Sequence, residues 1–240
     1  MKSFTLICCI LALSLVNKVE IHAQRLLGTT GLMNIPTADM KPAGTFDGGI
    51  TFMQKGVTND VYNFDTGIYY INITPFNFLE FTFRETLLKT QHSVKKTMGY
   101  YQQDRSTTFR LRPLAEQPNR WWPSFVIGIN DIYSAYGDSF YTGIYGSLTK
   151  HIPIGKQGSL AVTTGYFHPF NSGKMYDGFY GGIEYSPFQS QWLNIMADYD
   201  SKGFNFGMAC RFWKSLNVFC YTQECKGIAA GVSYQHTIKF

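Results

Sequence analysis

The chain has 240 residues, a formal net charge of +5, 15% charged residues and 17% aromatics. Soluble domains usually carry about 25% charged residues, so this surface is poor in charge. Its basic residues are spread out, without the dense run that a nucleic-acid footprint needs.

Residues 1–23 read as a secretory signal peptide. Lys2 supplies the positive start, Phe4 to Val16 the apolar stretch, and Ile21-His22-Ala23 the cleavage site, which makes Gln24 the first mature residue. Cys8 and Cys9 lie inside the apolar stretch without the context of a lipoprotein site. No later apolar run reaches the roughly 18 residues of a membrane-spanning helix.

The stretch that follows, Gly28-Thr29-Thr30-Gly31-Leu32-Met33-Asn34-Ile35-Pro36-Thr37-Ala38-Asp39-Met40, is neither a clean helix nor a clean strand. Its glycines lack the Gly-Lys-Ser/Thr of a phosphate loop. Residues 24–43 are expected to form an N-terminal periplasmic segment that either tucks into the mouth of the next domain or docks a partner. Pro36 is expected to fix the direction of the chain into the first strand, because proline locks φ and lacks a donor.

From residue 44 onward, segments of about ten residues alternate in polarity between Gly, Asn, Asp, Pro or Lys breaks. Twelve segments are predicted: 44–54, 62–74, 76–88, 105–115, 123–133, 139–152, 158–169, 176–187, 192–200, 203–213, 216–224 and 227–240. In the tenth, Phe204, Phe206, Met208, Cys210 and Phe212 share one face, and Asn205, Gly207, Ala209 and Arg211 the other. The third sets Leu79, Phe81 and Phe83 against Glu80, Thr82 and Arg84. The faces of the second, fifth and sixth are ambiguous. No segment of helical period is long enough for a crossover, so the sheet is expected to be antiparallel.

A soluble sandwich and a membrane barrel both fit an all-β chain. Three features favour a closed antiparallel transmembrane β-barrel of about twelve strands, within ten to fourteen. The polar face carries Gly, Ser, Thr and charges of both signs, namely Glu80, Arg84, Arg110, Arg112, Glu184, Asp198 and Arg211. The last strand alternates through Tyr234, His236 and Ile238 to a terminal Phe240, an ending that resembles the signal read by the barrel assembly machinery of Gram-negative bacteria. Trp121, Trp122, Trp192 and Trp213 all fall in connections on one side of the sheet, as an aromatic girdle would. The longest connection on the other side is expected over 89–104.

The charged lumen residues are read as ion pairs between neighbouring strands, with Glu80 and Arg84 beside Arg110 and Arg112, and Glu184, Asp198 and Arg211 on consecutive strands. The alternative is a polar path or a surface that binds a saccharide. The three cysteines of the barrel, Cys210, Cys220 and Cys225, show no metal-site spacing. A Cys210–Cys220 or a Cys220–Cys225 bridge depends on register. The nearest approach to a hydrolytic arrangement is His168 with Ser172, and nothing in the sequence orders it. No cofactor or metal is expected.

Gly31, Leu32, Asn34, Pro36 and Ala38 form a Gly-Leu-x-Asn-x-Pro-x-Ala pattern that resembles the start of the YjbH-type outer-membrane proteins linked to exopolysaccharide. The resemblance continues through residues 122–133, 140–152 and 179–207. Larger members of the family carry more domains, and this chain has room for one barrel. The resemblance implies an outer-membrane barrel; with the strand pattern over 44–240 and no ordered catalytic arrangement, the expectation is a non-enzymatic barrel in the outer membrane of a Gram-negative bacterium. There it would assist the assembly or export of exopolysaccharide, with outer-membrane lipids, the assembly machinery, polysaccharide or other export proteins as partners. A small diffusion porin is the alternative, and an outer-membrane lipid-modifying enzyme a more distant one.

Overall fold

A computed structural model describes residues 26–58, 63–117, 120–134, 141–170, 177–188 and 192–238. The signal peptide, Ser172 and Phe240 lie outside the described residues.

Twelve antiparallel strands close into a barrel in which each strand pairs with its neighbours in sequence and β1 pairs with β12. The strands are β1 (Thr45–Met53), β2 (Thr66–Phe76), β3 (Leu79–Gln91), β4 (Met98–Leu114), β5 (Ser124–Ser134), β6 (Gly143–Ile154), β7 (Gly158–Pro169), β8 (Gly178–Ser186), β9 (Leu193–Tyr199), β10 (Phe204–Phe212), β11 (Leu216–Gln223) and β12 (Gly227–Thr237). One helical turn, α1 (Lys55–Thr58), follows β1. Closure pairs every strand on both sides, which a sheet in lipid requires.

The alternation read from the sequence is the geometry of the wall. Along β1, Phe46, Ile50 and Phe52 face out and are exposed, whereas Thr45, Asp47, Thr51 and Met53 face in and are buried. The outer surface is an apolar band, with Ile71, Ile127, Leu148, Val162, Ile195, Phe206 and Val218 among its exposed residues. An exposed apolar belt around a closed sheet is the arrangement of a membrane barrel. The interior is lined by Thr, Ser, Asn and charged residues.

One end, the terminal rim, holds the start of β1, the end of β12 and the connections β2–β3, β4–β5, β6–β7, β8–β9 and β10–β11. All four tryptophans lie there, as expected from the sequence. Phe76 stacks on Phe78 and Phe188 on Trp192, with ring centroids 5.4 and 5.1 Å apart. The opposite loop rim has its own aromatics, including Tyr166 against Phe179 and Tyr199 against Phe204. Rings at both interfaces suit a bilayer.

The expected long connection over 89–104 is a correction. β3 and β4 pair without a break in strand order to Gln91↔Met98, so only residues 92–97 turn. Its Thr and Tyr residues are strand formers, and the polarity of the stretch concealed the ladder.

The interior also pairs glycine with aromatic residues. Gly49 sits opposite Tyr70, Gly128 opposite Tyr145, Gly165 opposite Tyr180, Gly207 opposite Tyr221 and Gly231 opposite Phe219. At each of these glycines a Cβ would lie within 2.1–2.5 Å of the facing aromatic side chain or of backbone. The glycines let the rings lie against the wall and leave the axis of the barrel free.

Candidate functional site

The axis is filled by the N-terminal segment. Residues 26–41 are buried throughout, apart from the half-buried Asn34 and Asp39. Leu27, Leu32, Met33, Ile35, Ala38 and Met40 are each at most 3% exposed. They join one apolar cluster with the inward-facing Ile68, Tyr70, Val126, Tyr145, Phe167, Tyr180 and Tyr221. Of the two roles expected for this segment, tucking into the barrel or docking a partner, residues 26–41 take the first, and they do so as an internal plug.

The plug is a folded-back chain. Gly31 bridges Pro36, and the Leu32 amide donates to the Ile35 carbonyl over 3.0 Å. Its turn points to the loop rim, where Asn34 Nδ2 donates to Asp200 over 2.9 Å. Its other end returns to the terminal rim, where Lys41 Nζ contacts Asp47 at 2.6 Å and both groups are buried. Pro36 therefore does not direct the chain into β1, which begins nine positions later. Its carbonyl instead accepts from the Ser147 hydroxyl over 3.1 Å.

The wall holds the plug by its backbone. Glu80 accepts from the Thr30 amide at 3.0 Å and from the Thr30 hydroxyl at 2.6 Å. Asp198 Oδ2 accepts from the Met33 and Asn34 amides at 3.1 and 3.0 Å. Ser147 donates to the Pro36 carbonyl, and Thr149 accepts from the Ala38 amide at 2.7 Å. Arg110 donates to the Thr37 and Asp39 carbonyls. Its other nitrogen lies 2.9 Å from both oxygens of Glu80, directly across the β3–β4 ladder. Charge-assisted bonds of this kind are roughly twice as strong as neutral ones.

Of the residues singled out as lumen groups, Glu80, Arg84, Arg110, Glu184, Asp198 and Arg211 face the interior. The Glu80–Arg110 ion pair is the one the sequence suggested. Arg84 instead pairs with Asp131 and lies 4.7 Å over the ring of Tyr141. Arg112 is at the terminal rim and donates to the Asn77 carbonyl in the β2–β3 turn, because β4 ends irregularly between Leu111 and Leu114. The expected grouping of Glu184, Asp198 and Arg211 does not match the register. Asp198 lies opposite Gly182 and Asn205, and Arg211 opposite Asn217. Glu184 accepts from Asn194, and Arg211 donates to Asn217 and Gln235. Lys41, Ser147, Thr149, Asp131 and Asp200 were missed, since isolated polar residues of the plug, the strands and their ends carry no signal until plug and wall are placed together.

Glu116, in the β4–β5 connection, anchors the terminal rim near the plug. It accepts from Lys150 and from the backbone and ring of His151, whose Nε2 lies 3.6 Å from the plug residue Asp39. Burial works to raise the Glu116 carboxyl, but the bonds from Lys150 and His151 outweigh it and hold it below the usual carboxylate range. The cysteines are apart: Cys210 faces Val218, Cys220 faces Met208, and the thiols of Cys210, Cys220 and Cys225 are free. His168 is exposed, and its Nδ1 lies 3.8 Å from Asp177. Among the described residues, no group of three or more His, Cys, Asp or Glu could hold a metal ion.

The five motif residues Gly31, Leu32, Asn34, Pro36 and Ala38 are thus the turn and the wall contacts of the plug. A family model, YjbH, described as exopolysaccharide biosynthesis protein YbjH, matches residues 23–172. The chain belongs to the YjbH family. The matched span covers the plug and β1 to β7. No curated protein matches the chain. Among solved structures, this YjbH family member is similar to a KdgM porin at 9% identity and a TM-score of 0.48, over 81% of this chain and 99% of that one. It is also similar to the outer-membrane phospholipase OMPLA of Salmonella typhi, at 9% identity and a TM-score of 0.39, over 83% of this chain and 92% of that one. The phospholipase A of the Escherichia coli outer membrane matches at 8% identity and a TM-score of 0.38, over 84% and 99%. At such identities and scores the likeness says nothing of activity.

Proposed function

We propose that the protein is a plugged barrel of the outer membrane that assists the assembly or export of exopolysaccharide without catalysing a reaction. The observation that carries this reading is that the residues of the YjbH motif form the plug and its wall contacts. The barrel's apolar belt and two aromatic rims support residence in a membrane, and the terminal rim is proposed to face the periplasm. A filled lumen argues against free diffusion of small solutes.

The test is made in the bacterium that carries the chain. Deleting its gene is expected to lower extracellular polysaccharide, and the intact chain to restore it. Unchanged polysaccharide after deletion overturns the role. Lipid hydrolysis by the purified barrel that disappears in His168→Ala overturns the non-enzymatic part.

A further inference from the structure

The wall contacts the plug in a way that does not depend on most of the plug's side chains. Seven backbone atoms of the plug are bonded by wall side chains: the amides of Thr30, Met33, Asn34 and Ala38 and the carbonyls of Pro36, Thr37 and Asp39. Between these polar groups the wall presents flat rings, with Tyr145 and Phe167 stacked at centroids 6.2 Å apart. Further along the same wall, Thr86, Ser106 and both side-chain atoms of Asn130 are buried without a partner. Alternating donors, acceptors and aromatic faces suit a chain of sugar rings, whose hydroxyls bond and whose C–H faces stack.

The plug is joined to β1 by a short segment at the terminal rim, where the Gly44 amide donates to the Thr74 carbonyl over 2.8 Å. Pro42 and Ala43 are exposed at the terminal rim, and Gly44, at φ +78°, joins the plug to β1 in a conformation that favours glycine. The described plug has isolated bridges, Gly31–Pro36 among them, but no strand or helix of its own.

We propose that the lumen wall is a saccharide-binding surface that the plug occupies in the closed state. When the plug withdraws through the terminal rim, Glu80, Arg110, Ser147, Thr149 and Asp198 exchange its backbone groups for the hydroxyls of a polysaccharide, and Tyr145 stacks on a ring. This rests on the proposed role in exopolysaccharide assembly or export and names the site that would serve it.

The test uses the purified full chain in planar bilayers, with dextran and alginate oligosaccharides as probes. Leu32→Ser combined with Ile35→Ser weakens the plug and leaves the wall intact. It is expected to open an ion current about tenfold more often than the intact chain does. Oligosaccharide added at the terminal rim is expected to block that current, and Asp198→Asn or Tyr145→Ala on the same background to weaken the block about tenfold. If the plug variant fails to fold, as read by heat-modifiable migration, a tethered chain replaces it. That chain carries Asn34→Cys and Asp200→Cys, at the plug and rim residues whose side chains meet, with its own cysteines changed to Ser, and it is expected to bind sugar only after reduction. A current that neither sugar blocks, or a block unaffected by both wall substitutions, overturns the proposal. So does a tethered chain that binds sugar as well before reduction as after. Polysaccharide output in cells is a separate readout. Unchanged output on deletion, with the block intact, refutes the proposed function alone, and lost output with no block refutes the wall site alone.

Discussion

Glu80 and Arg110 show how one pair of side chains serves two structures. Each bonds the other across β3 and β4, and each also bonds the plug. Removing one partner strands a buried charge, which costs about 3–5 kcal/mol. Arg110→Ala is therefore expected to lower the temperature at which the barrel loses its compact migration on a detergent gel, and to expose the plug to protease. Glu116 supplies the pH dependence at the terminal rim. Its carboxyl lies below the usual range. The stability it contributes is thus present above its unfolded value and lost as pH falls through its lower folded value. Fluorescence of Trp121 and Trp122, in the same connection, is expected to change over that acid window in the native chain and to stay level in Glu116→Gln. At the residue scale, sequence reading found Glu80 and Arg110 because they lie opposite each other on adjacent strands. It missed Thr149, whose partner is an amide more than a hundred positions away.

Among the elements, the turns and the glycine–aromatic pairs carry the sharpest expectations. The β11–β12 turn places Glu224 at φ 49° and Cys225 at φ 58°, the left-handed geometry of a tight hairpin. Cys225→Gly is expected to stabilise the barrel by about 1 kcal/mol, measured by denaturant unfolding. Gly182 makes the opposite case. A Cβ there would lie 2.5 Å from Leu32 Cδ1 of the plug and 2.8 Å from the Ala197 carbonyl oxygen. Gly182→Val is expected to displace the plug, read as faster hydrogen exchange at Met33 and Asn34. The alternation of most strands was legible because lipid and lumen impose opposite polarities. The faces of β2, β5 and β6 were ambiguous for a physical reason: inward Ile68, Tyr70, Val126 and Tyr145 pack against the apolar side of the plug, so both faces of those strands are apolar.

At the scale of the molecule, strand number, order and closure follow from a period of two repeated twelve times, and the content of the barrel does not. The plug has no periodicity of its own and takes its shape from the wall. The intact chain is expected to give no steady ion conductance in a bilayer, whereas a steady open current would show that residues 26–41 do not fill the lumen. The plug's contacts also set an order of events during folding. The polar ones come from β1, β3, β4, β6 and β9 and reach Asp200, which is 166 positions from Asn34. No early part of the chain can build this binding place, because it is assembled from nearly the whole sheet. Contacts so distant in sequence form late and slowly. The seam between β1 and β12 joins the strand that carries the plug to the twelfth strand of the sheet. The plug therefore has to wait, without strand or helix of its own, for the later strands to enclose it.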